Sequence, residues 1–476
     1  MLIFPKQYLW ILIFMNGYRW QLAADLVNFG GLLKNMNTKG QGKNNVNIVT
    51  LGCAKNIVDS EILLTQLKGN NEDVRHESQK DDANIVVINT CGFIDSAKQE
   101  SIDTILRYVD AKQNGLIEKL YVTGCLSQRY KEDLRKEIPD VDAWFGTNEL
   151  PQLLNRFNVD YKHELVGEWQ ITTPRHYAYL KISEGCDRPC AFCAIPLMRG
   201  RHVSKPMDAL ITVASNLARS GVKELLLLAQ DTTYYGIDLY GKRSLAELLR
   251  KLSDVEGLEW IRLHYAFPTG FPLEVLDVIS EKDNICIYLD IPLQHTSTRM
   301  LKIMRRGTTR KKTETLLHTI RDRVPDIALR TTLITGHPGE TEEDFEQMMD
   351  FVLKSRFDRL GVFTYSHEEN THAFSLEVNV SEELKQKRAE DVMELQQCIS
   401  FEINTSKVGR VMKVLTDRVE AGNLNGRREF DSPEVDNEVI IENNQNLNND
   451  AKPGEFIQVK ITDANEFDLF GKILSR

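Results

Sequence analysis

Short uninterrupted apolar runs alternate with longer stretches of helical spacing along much of the chain. That is the pattern of parallel strands buried on both faces between covering helices. Runs at Asn47–Leu51, Ile85–Asn89 and Leu120–Thr123 predict three such strands. The segments Ile57–Leu67, Ser96–Gln113 (stopping before Gly115) and Ser127–Ile138 (stopping before Pro139) predict helices. Residues 46–160 therefore read as a small doubly wound α/β domain. From Tyr177 the alternation restarts with a longer beat, with strands predicted at Tyr177–Ile182, Glu224–Ala229, Trp260–Tyr265, Ile285–Ile291, Ile327–Ile334 and Arg359–Tyr365. Six βα units make an incomplete six-stranded (β/α) barrel. With the polar helical return segment Ser381–Ser406 they form a second domain over 172–405.

Residues 406–476 change pattern again. Val411–Glu420, Glu438–Glu442, Glu455–Asp463 and Leu469–Leu474 predict short strands separated by turn residues, a small β-barrel of OB-like size. The Asn-rich run Asn443–Asp450 is expected as a surface loop within it. The fold class is thus α/β throughout the first two domains, with an all-β third.

The beginning of the chain departs from this scheme. Tyr8–Met15 is apolar but far shorter than a membrane helix. Only Lys6 precedes it and no small-residue cleavage site follows, so a secretory signal fits poorly. Met36 stands just before the polar stretch Asn37–Asn45, and residues 1–45 are expected to be an extension outside the fold, with a genuine amphipathic segment as the alternative.

Composition narrows the function classes. At 476 residues, 42% hydrophobic and 27% charged, the chain has the make-up of a soluble protein of several domains. A formal net charge of −10 shows no basic face for gripping phosphates, so DNA is not an expected partner, and no membrane association is expected. Eight cysteines in a chain this long are not a disulfide scaffold. Six of them fall into two triads whose chemistry needs reduced thiolates, which points to the cytoplasm.

The first triad is Cys186-Asp-Arg-Pro-Cys190-Ala-Phe-Cys193, directly after a predicted strand. Three thiolates at these spacings wrap one corner of a [4Fe–4S] cluster from a single loop and leave one iron open for a small-molecule ligand. Zinc sites favour two-residue spacers and a nearby fourth ligand, and a zinc site or buried structural cysteines are the alternatives. CxxxCxxC resembles the signature of the radical S-adenosylmethionine superfamily, whose partial (β/α) barrel agrees with the strands above. The resemblance implies reductive cleavage of S-adenosyl-L-methionine and hydrogen abstraction from an unactivated carbon, with the cofactor carrying the difficult chemistry. Barrel sites lie at the C-terminal ends of strands. Gln230 and Asp231, after the second strand, and Gln294 and His295, after the fourth, are by position the candidates for lining the cofactor pocket, against the reading of ordinary polar loop residues.

The second triad, Cys53, Cys91 and Cys125, is spread over the N-terminal domain. Each lies one or two residues beyond a predicted parallel strand, beside a glycine, where doubly wound sheets place their ligand crevice. Three thiolates gathered there are expected to hold a second cluster, again one ligand short. Cys286, within the fourth barrel strand, and Cys398, on the return helix, lack such company and are expected to be buried packing residues.

Two such triads followed by a β-barrel resemble the methylthiotransferases, whose order is a cluster domain, a radical barrel and a TRAM domain. The resemblance covers Asn47 to Arg476. The wording is similar to the RimO type: Leu51-Gly52-Cys53-Ala54-Lys55-Asn56, Ile182-Ser183-Glu184-Gly185-Cys186-Asp187-Arg188, Ile195-Pro196-Leu197-Met198-Arg199-Gly200 and Phe430-Asp431-Ser432-Pro433-Glu434-Val435-Asp436. The tRNA-modifying relatives generally carry a glutamine–methionine pair where this chain has Ala54 and Lys55. The resemblance implies addition of a methylthio group to the β-carbon of an aspartate in small-subunit ribosomal protein S-twelve. One S-adenosylmethionine would donate methyl to sulfur held at the N-terminal cluster, and a second would give the radical. It also implies two [4Fe–4S] clusters and an electron donor such as flavodoxin or ferredoxin. Methylthiolation of an adenosine in tRNA is the alternative, and a non-enzymatic iron–sulfur carrier is a third reading. Residues 406–476 hold ten Lys/Arg and thirteen Asp/Glu. That acidic balance suits a basic ribosomal protein better than RNA phosphates.

Overall fold

The computed structural model describes residues 44–78, 82–162, 169–442 and 451–475. Residues 1–43 of the extension expected over 1–45, and the loop expected at Asn443–Asp450, lie outside them, while Asn45 already belongs to the first strand.

In the N-terminal unit the strands β1 (Asn45–Thr50), β2 (Asp73–His76), β3 (Ile85–Thr90), β4 (Lys119–Gly124) and β5 (Ala143–Trp144) form one sheet in the order β2-β1-β3-β4-β5. Every pairing is parallel. This is a doubly wound order, with its switch point between β1 and β3. β3 is buried along its whole length, as its run of Ile and Val requires. Helices α1 (Ala54–Lys68), α2 (Asp95–Gln113) and α3 (Cys125–Glu137) connect the strands. On α1 the residues Asn56, Ser60, Glu61 and Gln66 are buried alongside Val58, Leu63, Leu64 and Leu67. The helix buries polar and apolar faces together because it lies between its own sheet and the next domain. Glu61, for example, accepts hydrogen bonds from Trp169 Nε1 (2.8 Å) and Thr172 N (2.7 Å).

The second unit begins with β6 (Tyr177–Lys181) and a short antiparallel pair, β7 (Ser183–Glu184) and β8 (Val203–Ser204). The short helix α4 (Ile195–Arg199) lies between these two. The parallel strands β9 (Glu224–Leu228), β10 (Trp260–Leu263), β11 (Tyr288–Asp290), β12 (Ala328–Thr335) and β13 (Arg359–Thr364) follow. They join β6 in two three-stranded sheets, β6-β9-β10 and β11-β12-β13, linked by a parallel bridge between Ile261 and Ile285. No pairing of β6 with β13 closes the ring among the described residues, so the barrel is open as expected. The fourth strand is shorter than Ile285–Ile291: Cys286 lies before β11, where it is buried against Trp260 and Tyr288. The return helix α5 (Glu382–Thr405) is capped by the Ser381 hydroxyl, which accepts from Leu384 N. On α5 the expectation for Cys398 fails: it is exposed, on the solvent side of a helix whose apolar stripe runs through Ala389, Val392 and Ile399.

The last unit is a closed barrel of β14 (Val411–Glu420), β15 (Asn423–Arg427), β16 (Val439–Ile441), β17 (Phe456–Ala464) and β18 (Leu469–Ser475), in the order β14-β15-β16-β18-β17. β15, with the sequence Asn-Leu-Asn-Gly-Arg, carries almost no hydrophobic signal and was not foreseen.

The loop after β15 enters the open barrel from the N-terminal ends of its strands. Glu224 and Arg262 are fully buried and paired at 2.8 Å, and Arg427 reaches the same Glu224 at 2.7 Å. Asp431 is held by Arg428 (2.6 Å) and Arg359 (2.5 Å), and Asp436 by Arg330 (3.2 Å) and the Tyr288 hydroxyl (2.9 Å). Tyr177 donates to Glu434, and Ser432 bonds His264 at 3.0 Å. The acidic surplus read from residues 406–476 is therefore partly consumed inside the molecule. Asp417, Asp431, Glu434 and Asp436 face arginines or tyrosines of this interface, which weakens it as a sign of an acidic docking surface. No described helix is long and apolar enough to cross a membrane.

Candidate active site

Each cysteine of the N-terminal triad follows a strand of the β1-β3-β4 group at its C-terminal end. Gly52 (φ +91°) and Gly124 (φ +100°) let the three turns close on one another. A Cβ on Gly52 would lie 2.9 Å from Cys91 Sγ, and one on Gly124 2.5 Å from Asn89 Oδ1, so neither position admits a side chain. Buried amides then fasten the turns. Asn56 Nδ2 donates to Leu51 O (2.7 Å) and Thr90 O (3.1 Å), Asn89 Nδ2 donates to Asn56 O (2.9 Å), and Ser101 Oγ bridges the N–H and carbonyl of Cys91.

The barrel triad occupies the loop after β7. Its backbone is pinned by Cys186 N to Gly200 O (3.1 Å) and Ala191 N to Met304 O (3.0 Å). Two arginines serve it. Arg188 Nε donates to Asp231 (2.7 Å), and Arg306 Nη1 donates to Cys190 Sγ (3.2 Å) while its Nη2 holds Pro292 O (2.6 Å). Both guanidinium groups lie 4.1 Å from the Phe267 ring centroid. N–H donors to a cluster thiolate are a standard means of setting its potential.

All eight cysteines are free thiols. Burial, reinforced by Cys53 and Cys125, pushes the Cys91 thiol up to about 12, and burial with Cys190 does the same for Cys193. Burial raises Cys125 and Cys186 to about 11. A bound metal displaces such protons. Among the described residues no three Cys, His, Asp or Glu side chains converge on a single-ion site. The donor set of each triad, three thiolates without a fourth ligand, fits a [4Fe–4S] cluster with one open iron.

The two triads adjoin through α4. Cys125 packs against Ala194, Ile195 and Met198, all from the segment following Cys193. Arg199, at the end of that helix and buried, donates to Asn56 Oδ1 and Asp59 (2.5 Å), while Lys181 pairs with Asp59 and with Glu184 (2.5 Å). Burial works to raise the Asp59 and Glu184 carboxyls, but Lys181 and Arg199 outweigh it and hold both below the usual carboxylate range. A second clamp lies nearby, where Glu368 takes Arg129 (2.5 Å) and Lys98 (3.0 Å) of the N-terminal unit.

The four residues nominated for the cofactor pocket all lie at the C-terminal mouth, in different roles. Gln230 Nε2 reaches Glu184 Oε1 (3.0 Å). Asp231 is buried and occupied: it caps the turn at Thr233 (N 2.9 Å, Oγ1 2.6 Å) and holds Arg188. Gln294 sits at φ +73° and bridges to Leu333, its N–H donating to Thr332 O (2.8 Å). His295 is fully buried: Nδ1 accepts from Thr296 N (2.8 Å) and Ser297 N (3.0 Å), and Nε2 faces Glu340 at 3.4 Å. Arg188, Arg199 and Arg306 were not singled out from the sequence. The first two stand inside quoted motifs, but nothing local marks what they reach. Arg306 is brought in only by the tertiary fold, from 116 residues along the chain.

Comparison with known proteins accords with this architecture. Family models match at residues 45–146 (Uncharacterized protein family UPF0004), 180–352 (Radical SAM superfamily) and 408–474 (TRAM domain). The structure of the radical S-adenosylmethionine methyltransferase TsrM from Kitasatospora setae, with cobalamin and a [4Fe–4S] cluster bound, matches with TM-score 0.50 at 14% identity. The match covers 68% of this chain and 72% of that one, a likeness of fold. "Ribosomal protein uS12 methylthiotransferase RimO" of Cytophaga hutchinsonii is 62% identical over 92% of this chain and 100% of its own length. Its counterpart in Bacteroides thetaiotaomicron is 50% identical over 90% and 98%. With three domains in the same order and identity of that depth across nearly the whole length of both relatives, the chain belongs to the RimO family of radical S-adenosylmethionine methylthiotransferases.

Proposed function

We propose that the protein adds a methylthio group to the β-carbon of an aspartate in ribosomal protein uS12. Cys186, Cys190 and Cys193 hold the [4Fe–4S] cluster that meets S-adenosylmethionine, and Cys53, Cys91 and Cys125 hold a second cluster. The observation that carries this reading is the junction at α4, where one short helix following the first triad packs on Cys125 of the other. A carrier of electrons gains nothing from a barrel mouth opening between two such sites, whereas a group transfer needs both reactants at one place. With its cofactors bound, such a site supplies a carbon-centred radical on the barrel side and methylthio sulfur on the other. The protein's own share is positional. Asp231 and Arg188 fix the barrel loop, Arg306 tunes Cys190, Arg199 ties the two triads together, and Gln230, Asp231, Gln294 and His295 shape the mouth around S-adenosylmethionine. A cytoplasmic location and a low-potential donor such as flavodoxin or ferredoxin complete the proposal.

The test uses protein reconstituted with iron and sulfide and kept free of oxygen, with S-adenosylmethionine and reductant. Small ribosomal subunits and bulk tRNA are offered in parallel, and mass spectrometry follows the methylthio adduct. An adduct on uS12 alone supports the reading. An adduct on tRNA alone keeps the chemistry and overturns the substrate.

A further inference from the structure

Helix α1 carries a buried cation two residues beyond Cys53. Lys55 is only 8% exposed, yet among the described residues its ammonium has neither a carboxylate nor a hydrogen-bond acceptor. It lies instead on the face of the Tyr265 ring, with Nζ 3.3 Å from the centroid. The other two buried lysines of the described residues are paired, Lys181 with Asp59 and Glu184, and Lys385 with Glu382. The Lys55 Nζ keeps a solvent-facing side, and the face of one ring offers an ammonium only part of what a counter-charge would. Lys55 is thus a site prepared for an anion.

Its surroundings say which kind. Tyr265 stands just past β10 at the C-terminal mouth, in the left-handed region at φ +56°. Its N–H is donated to Asp290 Oδ2 (3.1 Å). Strained non-glycine positions of this sort concentrate at binding sites. Asp290 does not serve Lys55, since its other oxygen is taken by Arg330 at 3.3 Å. The ammonium therefore sits where the helix that presents Cys53 meets the barrel that presents Cys186.

We propose that Lys55 is a positioning residue that receives the side-chain carboxylate of the substrate aspartate. This rests on the uS12 reading above and deepens it. The carboxylate carbon is bonded directly to the β-carbon, so holding the carboxylate at the junction of the two domains holds the β-carbon there with it. The ammonium discriminates an acidic side chain from an amide or a nucleobase. S-Adenosylmethionine also carries a carboxylate, but Lys55 belongs to the domain of the other triad, which favours the substrate as the source.

The experiment compares reconstituted wild type with Lys55→Met, which keeps an unbranched apolar stem, and with Lys55→Gln as a second neutral variant. Iron content and melting temperature check that each is folded and loaded. Each is titrated with S-adenosylmethionine, with uS12, and with uS12 carrying asparagine in place of the target aspartate. Wild type is expected to prefer the aspartate form by about tenfold, and both variants to bind the two forms alike, because the ion pair has gone. Methylthio transfer should show a raised KM in both. A fall in affinity for S-adenosylmethionine with the aspartate preference intact assigns the ammonium to the methionine carboxylate and overturns the proposal. An unchanged preference in both variants overturns it too. If wild type binds as described but yields no methylthio product on uS12, the failure lies with the proposed function and not with Lys55.

Discussion

At the scale of single residues, the proposed function divides the six cysteines into two jobs that substitution would separate. Cys53→Ala is expected to leave S-adenosylmethionine cleavage in place while abolishing methylthio product, and Cys186→Ala to abolish both; chromatographic assay of 5′-deoxyadenosine beside mass spectrometry of uS12 reads the difference. Methylthiolated product from Cys53→Ala would remove the second cluster from the scheme. Protection should follow burial in metal-free protein. Cys53 and Cys398 are exposed, whereas Cys91 and Cys193 are thiols raised to about 12. Alkylation at pH 8 should mark the exposed pair first and the raised pair slower by about tenfold or more, as peptide mapping would show. The sequence made the triads legible because a cysteine beside a glycine just past a strand is a local pattern. It could not reveal Arg306 on Cys190, a contact that only the tertiary fold creates. Cys398 misled because a lone cysteine on a helix carries no sign of which face it occupies.

The decisive element is α4, a five-residue helix too short to be stable alone. Its position is fixed by Arg199, whose guanidinium is held by Asn56 and Asp59 of the opposite domain. Arg199→Gln should leave the carboxylates of Asp59 and Glu184 facing Lys181 alone and loosen the junction of the triads. We expect transfer to uS12 to fall by about 10²-fold, the scale seen when reacting groups are misplaced by an ångström, with S-adenosylmethionine cleavage falling far less. Equal loss of both activities would mean that Arg199 supports the barrel loop and not the junction. The long strands and helices were legible from their periodicity. β2, β5 and β15 were not, since strands of two to five residues with polar or mixed sequence hold no period to detect; their pairing partners define them.

For the whole molecule, the charged floor of the open barrel is the place where removal of one partner strands the most buried charge. Glu224 serves two arginines, Arg262 and Arg427, in complete burial. Glu224→Gln would strand both cations and is expected to cost about 3–5 kcal/mol, measurable by denaturant titration. Burial tends to raise the Asp431 carboxyl, but Arg428 and Arg359 prevail and hold it well below the usual range. A group depressed in the folded state contributes fully above its unfolded value and loses that contribution as pH falls below it. The stability gap between wild type and Asp431→Asn should thus be greatest at neutral pH and shrink below about pH 4, as melting curves across that range would show. A gap independent of pH would count against the ion pairs. From the sequence these residues were one quoted motif, Phe430 to Asp436, with no visible task. Apart from Arg428, their partners lie far away along the chain, on four barrel strands (Tyr177, Tyr288, Arg330 and Arg359) and just past a fifth (His264).

That floor has a kinetic corollary. With the 427–436 loop filling the N-terminal end of the barrel, small reactants and a protein substrate would share the C-terminal mouth. Small reactants would have to be aboard before the large one docks, and spent fragments would leave only after it steps back. Such sharing would impose an order of binding, small reactants first, which initial-rate inhibition patterns would read.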